Sequence, residues 1–211
     1  MLHRVAALIP EHAGEDCVRV AIDGVDGAGK TTFADALAEI LRERHREPIR
    51  ISVDDFHNVR AIRHRRGDSA EGFWRDSFNY SQLVADVLDP LGPGGTHRFR
   101  RAAHDLPSDA EVRPPEELAA PGAVLVLDGL FLHRDELCDM WDLSIWLDVP
   151  FEVSIARMAA RDGTHPDPGH PSVARYVDGQ RLYLARCDPA SRADVVIDNS
   201  DPDVPAFVRL R

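Results

Sequence analysis

The 211-residue chain carries 25 Lys and Arg against 36 Asp and Glu, a formal charge of −11, with 44% hydrophobic and 29% charged residues. That balance suits one globular domain over residues 1–211 and excludes a disordered chain. The acidic total argues against a nucleic-acid surface, which rests on excess Lys and Arg, and no apolar run approaches the roughly 20 residues of a membrane-spanning helix.

Residues 1–10 are partly apolar but lack the long hydrophobic region and small-residue cleavage site of a secretory leader, so the expectation is a cytoplasmic protein with no membrane partner. Cys17, Cys138 and Cys187 lie far apart, form no CxxC pair and read as reduced structural thiols. Oligomeric state stays open, a homo-oligomer included.

In chain order, β-branched and apolar runs predict strands at 18–22, 49–53, 123–127, 143–147 and 194–197, and helical spacing covers 31–45, 81–88, 151–161 and 172–186. Strands alternating with helices imply parallel pairing through right-handed crossovers. The expected fold is α/β, a five-stranded, mostly parallel sheet with helices on both faces. Residues 57–121 interrupt this rhythm and read as an insertion on the acceptor side of a ligand site. Within it, 57–79 and 90–121 resemble no core element, and 97–101 is expected to pair with 111–113 as a small hairpin. Two basic clusters there, Arg60, Arg63, Arg65 and Arg66, and Arg98, Arg100 and Arg101, are candidate pockets for small anions. Residues 162–171, DGTHPDPGHP, hold residues that cannot continue a helix and suit a mobile lid.

The most specific signal is Gly24-Val25-Asp26-Gly27-Ala28-Gly29-Lys30-Thr31, which matches GxxxxGK[ST] between a strand and a helix. It predicts the P-loop nucleoside triphosphate hydrolase fold. Its glycines let backbone N–H groups converge on phosphate oxygens at a helix N-terminus, so Gly24, Asp26, Gly27, Ala28, Gly29, Lys30, Thr31 and Thr32 are expected to hold ATP. Lys30 reaches the outer phosphates, and the hydroxyl of Thr31 is a hard ligand for Mg2+. Ligands of open parallel sheets lie beyond the carboxyl ends of strands. Asp54, Asp55 and Asp128 stand there, suited to the magnesium shell or to accepting a proton.

Together with the phosphate loop, Ser52-Val53-Asp54-Asp55-Phe56-His57, Phe78-Asn79-Tyr80 and Leu127-Asp128-Gly129 give the chain a pattern that resembles the uridine kinase family, grouped with phosphoribulokinase and bacterial pantothenate kinase. The resemblance spans roughly residues 19–199. It implies that Asp54 accepts the acceptor's proton, that Asp128 joins Thr31 at the metal, and that Arg157 and Arg161-Asp162 are the arginines entering the lid. Lys30, Asp54 and Arg161 are the catalytic candidates. Asp54, Phe56, Tyr80, His97 and His104 are the acceptor-binding ones. The chain departs from the family where Ser81-Gln82-Leu83 replaces Asp-His-Pro and His97-Arg98-Phe99 replaces Tyr-Asp-Phe. The expected activity is phosphorylation of a small molecule, a nucleoside such as uridine first, another hydroxylated or phosphorylated metabolite second. A nucleotide-binding switch without transfer is the reading from another class.

Overall fold

The computed structural model describes residues 1–11 and 16–210. Its elements run α1 (Leu2–Leu8), β1 (Val18–Gly24), α2 (Lys30–Glu43), β2 (Pro48–Ser52), a 3₁₀ turn (Val53–Phe56), α3 (Arg60–Arg63), α4 (Ala70–Asp76) and α5 (Tyr80–Leu83), which continues into a π-helical turn (Val84–Leu88). Four two-residue strands follow, β3 (Arg98–Phe99), β4 (His104–Asp105), β5 (Ala110–Glu111) and β6 (Glu117–Leu118). The second half holds β7 (Val124–Gly129), a 3₁₀ turn (Cys138–Met140), β8 (Leu143–Asp148), α6 (Phe151–Asp162), α7 (Pro171–Cys187), α8 (Pro189–Arg192), β9 (Val195–Asp198) and β10 (Ala206–Leu210).

The main sheet has the order β10-β9-β8-β1-β7-β2. Every position of β1 and β7 is buried, which requires cover on both faces and accounts for their nearly unbroken apolar sequences. All five expected strands form and pair in parallel. A sixth, β10, adds antiparallel to β9 at the edge and corrects the count of five. It alternates between exposed and half-buried positions, so it lacks the continuous apolar run that marked the others. On α2, Phe33, Ala34, Leu37, Ala38 and Leu41 make one buried face, and α1 lies beside it.

The insertion is more deeply built into the core than its composition suggests. Phe73, Trp74 and Phe78, and further on Leu83, Val87, Leu88, Leu91 and Phe99, are all buried, and α4 packs against α7. The expected hairpin is replaced by two short pairings, β3 with β6 and β4 with β5. Five of the seven arginines in the basic clusters are paired with carboxylates of the same insertion. Arg65 and Arg66 both pair with buried Asp76, Arg63 with Asp109, Arg100 with Glu116 and Arg101 with Glu117. The three cysteines are free thiols, two of them buried. No helix among the described residues is long and apolar enough to cross a membrane.

Candidate active site

Parallel pairing brings the carboxyl ends of three strands together. Asp128 stands opposite Ile22 of β1 and opposite Ser52 of β2, so the loop after β1, the turn after β2 and the end of β7 meet at one edge. The phosphate loop needs glycine for two reasons. Gly27 and Gly29 have φ of +74° and +87°, in the left-handed region, and a Cβ on Gly27 would lie 2.3 Å from the Ser154 carbonyl of α6. Gly129 serves differently. A Cβ there would stand 2.1 Å from Val53 Cγ1, so only glycine lets the 3₁₀ turn bearing Asp54 rest on the end of β7.

Around this edge lies a cavity of about 130 Å³ lined by Asp26, Gly27, Lys30, Thr31, Asp54, Asp128 and Arg161, among others. Lys30 Nζ donates to the Val25 carbonyl at 2.9 Å, across the loop. Thr31 Oγ1 donates to Asp128 Oδ2 at 2.7 Å, which leaves the hydroxyl oxygen's lone pairs free for a hard cation. Asp128 is almost wholly buried, and its other oxygen accepts from Arg50 Nη2 at 2.9 Å. No group of three or more His, Cys, Asp or Glu among the described residues is arranged to hold a metal. The Thr31 hydroxyl and the Asp128 carboxylate are hard oxygen donors, which suit an ion such as Mg2+ that takes few protein ligands.

Asp54 is exposed at the mouth of the cavity, on a turn capped by Ser52 Oγ, which accepts from the Asp54 N–H at 3.3 Å. Its carbonyl accepts from His57 Nδ1 at 2.8 Å, fixing that tautomer. Burial lowers the His57 pKa, so the ring is neutral at pH 7. Asp26 is held by α7: its N–H donates to Gln180 Oε1 at 2.7 Å, and Gln180 Nε2 donates to Asp26 Oδ2 at 3.2 Å. Burial raises the Asp26 pKa, with Lys30 opposing.

Two larger clefts adjoin. One, of about 520 Å³, shares Asp26, Asp54 and Leu130 with the phosphate cavity and is walled by Phe73, Phe78, Met158 and Tyr176, with His165 of the lid. The other, of about 640 Å³, shares Gly29 and Thr32 with the cavity and is apolar, walled by Leu2, Phe33, Ile40 and Pro205.

Several expected site residues stand elsewhere. Phe56 is wholly buried, part of the core rather than the acceptor wall. His104 is 3% exposed behind His57, their rings 6.4 Å apart, with Nε2 bonded to Asp109 at 3.2 Å. His97 donates its N–H to the Pro90 carbonyl and accepts from the Ala119 N–H, lining neither the cavity nor the aromatic cleft. Tyr80 faces a separate cleft, with the Arg134 guanidinium 4.1 Å over its ring. Arg157 does not line the phosphate cavity; its guanidinium ties the carbonyls of Asn199 and Ser200 at 3.0 and 2.8 Å and borders the apolar cleft. Arg161 reaches the cavity while paired to Asp162 at 2.7 and 2.8 Å. Arg50, His57, Tyr176 and Gln180 were not singled out by sequence. Only His57, beside the Asp54-Asp55-Phe56 run, carried a local signal.

Comparison with known proteins follows the same geometry. A family model described as Phosphoribulokinase / Uridine kinase family matches residues 19–198. A uridine kinase from Shewanella amazonensis is 23% identical over 196 residues, 87% of this chain and 88% of that protein. A probable thymidylate kinase from Thermoplasma volcanium is 25% identical over 195 residues, 87% of this chain and 90% of that protein. The solved structure of a possible uridine kinase from Bacillus stearothermophilus superposes with a TM-score of 0.72 at 23% identity, covering 92% of this chain and 96% of its own.

Proposed function

The chain belongs to the phosphoribulokinase/uridine kinase family of ATP-dependent kinases, and on that footing we propose that it transfers the γ-phosphoryl group of ATP to a hydroxyl of a small molecule, a nucleoside such as uridine first. The observation that carries this is the junction at Asp54. A phosphate-sized cavity bearing Lys30, Thr31 and Asp128 opens there into a cleft of about 520 Å³ large enough for a small acceptor. The aromatic walls Phe73, Phe78 and Tyr176 suit a planar base, and uridine is the acceptor named for one relative.

The triphosphate lies in the phosphate loop against the N-terminal end of α2, with Lys30 on the outer phosphates. The base occupies the apolar cleft beside Gly29 and Thr32, bordered by Arg157 and Asn199. Thr31 and Asp128 would hold magnesium, which would supply positive charge to offset that of the outer phosphates. Asp54 orients the acceptor hydroxyl and receives its proton. Arg161, released from Asp162 as the lid closes, stabilises charge on the moving phosphoryl group.

The test is ADP release from Mg-ATP with the purified protein and a panel of nucleosides, sugars and sugar phosphates. Release that depends on one acceptor class is the expected result. Equal slow release with every acceptor and with none would leave a nucleotide switch as the reading.

A further inference from the structure

The cleft assigned to the acceptor has an unusual charge balance. Among the residues that line it are two carboxylates, Asp26 and Asp54, and no Lys or Arg. The nearby arginines are committed elsewhere: Arg63 to Asp109 at 3.1 Å, Arg175 to Asp68 at 2.7 Å and Arg161 to Asp162. Asp26 is the notable member, because a negative charge inside a triphosphate-binding loop opposes the loop's own task. Its carboxylate is nonetheless fixed in place. Gln180 is 1% exposed, and its amide is oriented by three bonds, two to Asp26 and one from Nε2 to the Tyr176 carbonyl at 3.0 Å. Only Oδ2 receives Gln180; Oδ1 accepts no hydrogen bond from the described residues. A carboxylate oxygen can only accept, so its partner in the cleft must donate. A hydroxyl does so; a phosphate or carboxylate on the acceptor is repelled.

Resting on the kinase reading, we propose that Asp26, positioned by Gln180, is a specificity determinant that binds a second hydroxyl of an uncharged, polyhydroxylated acceptor of the sugar or nucleoside class and rejects acceptors already bearing phosphate or carboxylate. Asp54 then addresses the reacting hydroxyl and Asp26 a neighbouring one.

The experiment uses matched pairs sharing a free hydroxyl: uridine and uridine 3′-monophosphate, ribose and ribose 5-phosphate, glycerol and glycerate. Acceptor-dependent ADP release is measured for the wild-type protein, Asp26→Asn and Gln180→Ala. In the wild type the neutral member of any accepted pair should have the higher kcat/KM. Asp26→Asn should raise KM for it about tenfold or more, the range for losing a hydrogen bond to a charged group, and narrow the neutral-to-anionic ratio. Gln180→Ala should raise KM in the same direction with a smaller change in kcat, and Mg-ATP affinity should not fall in either variant, which shows the loop intact. Preference for the anionic members, or an unchanged ratio in Asp26→Asn, overturns the proposal and leaves the kinase reading standing. Acceptor-independent release throughout sinks both.

Discussion

The proposed chemistry falls to three side chains around the phosphate cavity, Lys30, Asp54 and Asp128, and each assignment has its own test. Lys30→Ala should leave less than about a tenth of the wild-type transfer rate, since electrostatic groups at a developing charge contribute a factor of 100 or more; the fold should survive, because Lys30 is only partly buried and its one bond is to a loop carbonyl. Asp54→Asn should lower kcat about 100-fold with Mg-ATP affinity nearly unchanged, whereas Asp128→Asn should weaken Mg-ATP binding, because Asp128 holds the Thr31 hydroxyl. Lost affinity in the first and retained affinity in the second would exchange their roles. Asp26→Asn has an opposite signature in stability. The folded-state pKa of Asp26 is raised by burial, so ionisation costs stability that is complete above the folded-state value and falls away as pH drops from there to the ordinary carboxylate value. Removing the charge should therefore raise Tm at pH 7 while impairing acceptor binding, and the gain in Tm should shrink toward pH 4. A fall in Tm at pH 7 would mean that the carboxylate is stabilised where it stands.

Among the elements, the lid is the one whose function needs motion. Gly163, with φ of +70°, ends α6, and the segment to Pro171 is held mainly by local contacts: His165 stacked on His170 at 3.7 Å, Gly169 N bonded to Asp167 and His170 bonded to Ser172. Such sparse bonding belongs to the low-stability end of a fold. Amide hydrogen exchange over 162–171 should be fast in the free protein and slower with Mg-ATP and acceptor together. High protection without ligands, unchanged on adding them, would remove the lid. The break between α6 and α7 was legible because Pro and Gly act locally, as was the phosphate loop, whose eight residues are contiguous. Other elements were not legible for a physical reason. The short pairings in the insertion have only two residues a strand, too few for a period to show, and β10 has no buried face to leave an apolar run. Residues 57–79 looked like surface because five arginines interrupt its apolar residues, yet two of them, Arg65 and Arg66, pair with Asp76 beneath them while Phe73 and Trp74 enter the core.

At the scale of the whole molecule, the site is held by contacts between residues 109 to 160 positions apart, which no local pattern announces. Asp23, the residue before the phosphate loop, is wholly buried in β1. Its Oδ2 accepts from the N–H groups of Leu132 and His133 at 2.9 and 3.1 Å, from His133 Nδ1 at 2.9 Å and from the Tyr183 hydroxyl at 2.5 Å. This carboxylate joins β1, the loop after β7 and α7. Tyr183 stands three residues after Gln180, so α7 is anchored to the phosphate loop at two neighbouring points on one helical face. The C-terminal half of α7 is thus fixed, while its N-terminal end meets the segment proposed as a lid. Tyr183→Phe deletes one of those anchors. Hydrogen bonds to buried charges contribute about 1.5–3 kcal/mol, which in a chain of this size lowers Tm by a few to about ten degrees. The pH dependence tests whether the hydroxyl keeps its proton in the folded state. Burial and the Asp23 charge raise the Tyr183 pKa well above its ordinary value. Stability from the neutral hydroxyl is therefore complete below pH 10 and is lost as pH rises toward the folded-state value, because the unfolded tyrosine ionises first. By linkage for one group of ordinary pKa near 10, the stability gap between wild type and Tyr183→Phe should narrow by about 0.8 kcal/mol between pH 8 and pH 10.5. Urea unfolding of both proteins at the two pH values measures it, and effects of other groups cancel in the difference. A gap that stays constant would mean that the folded-state pKa of Tyr183 is not raised, and the hydroxyl would then not be held against a buried carboxylate as the 2.5 Å contact requires.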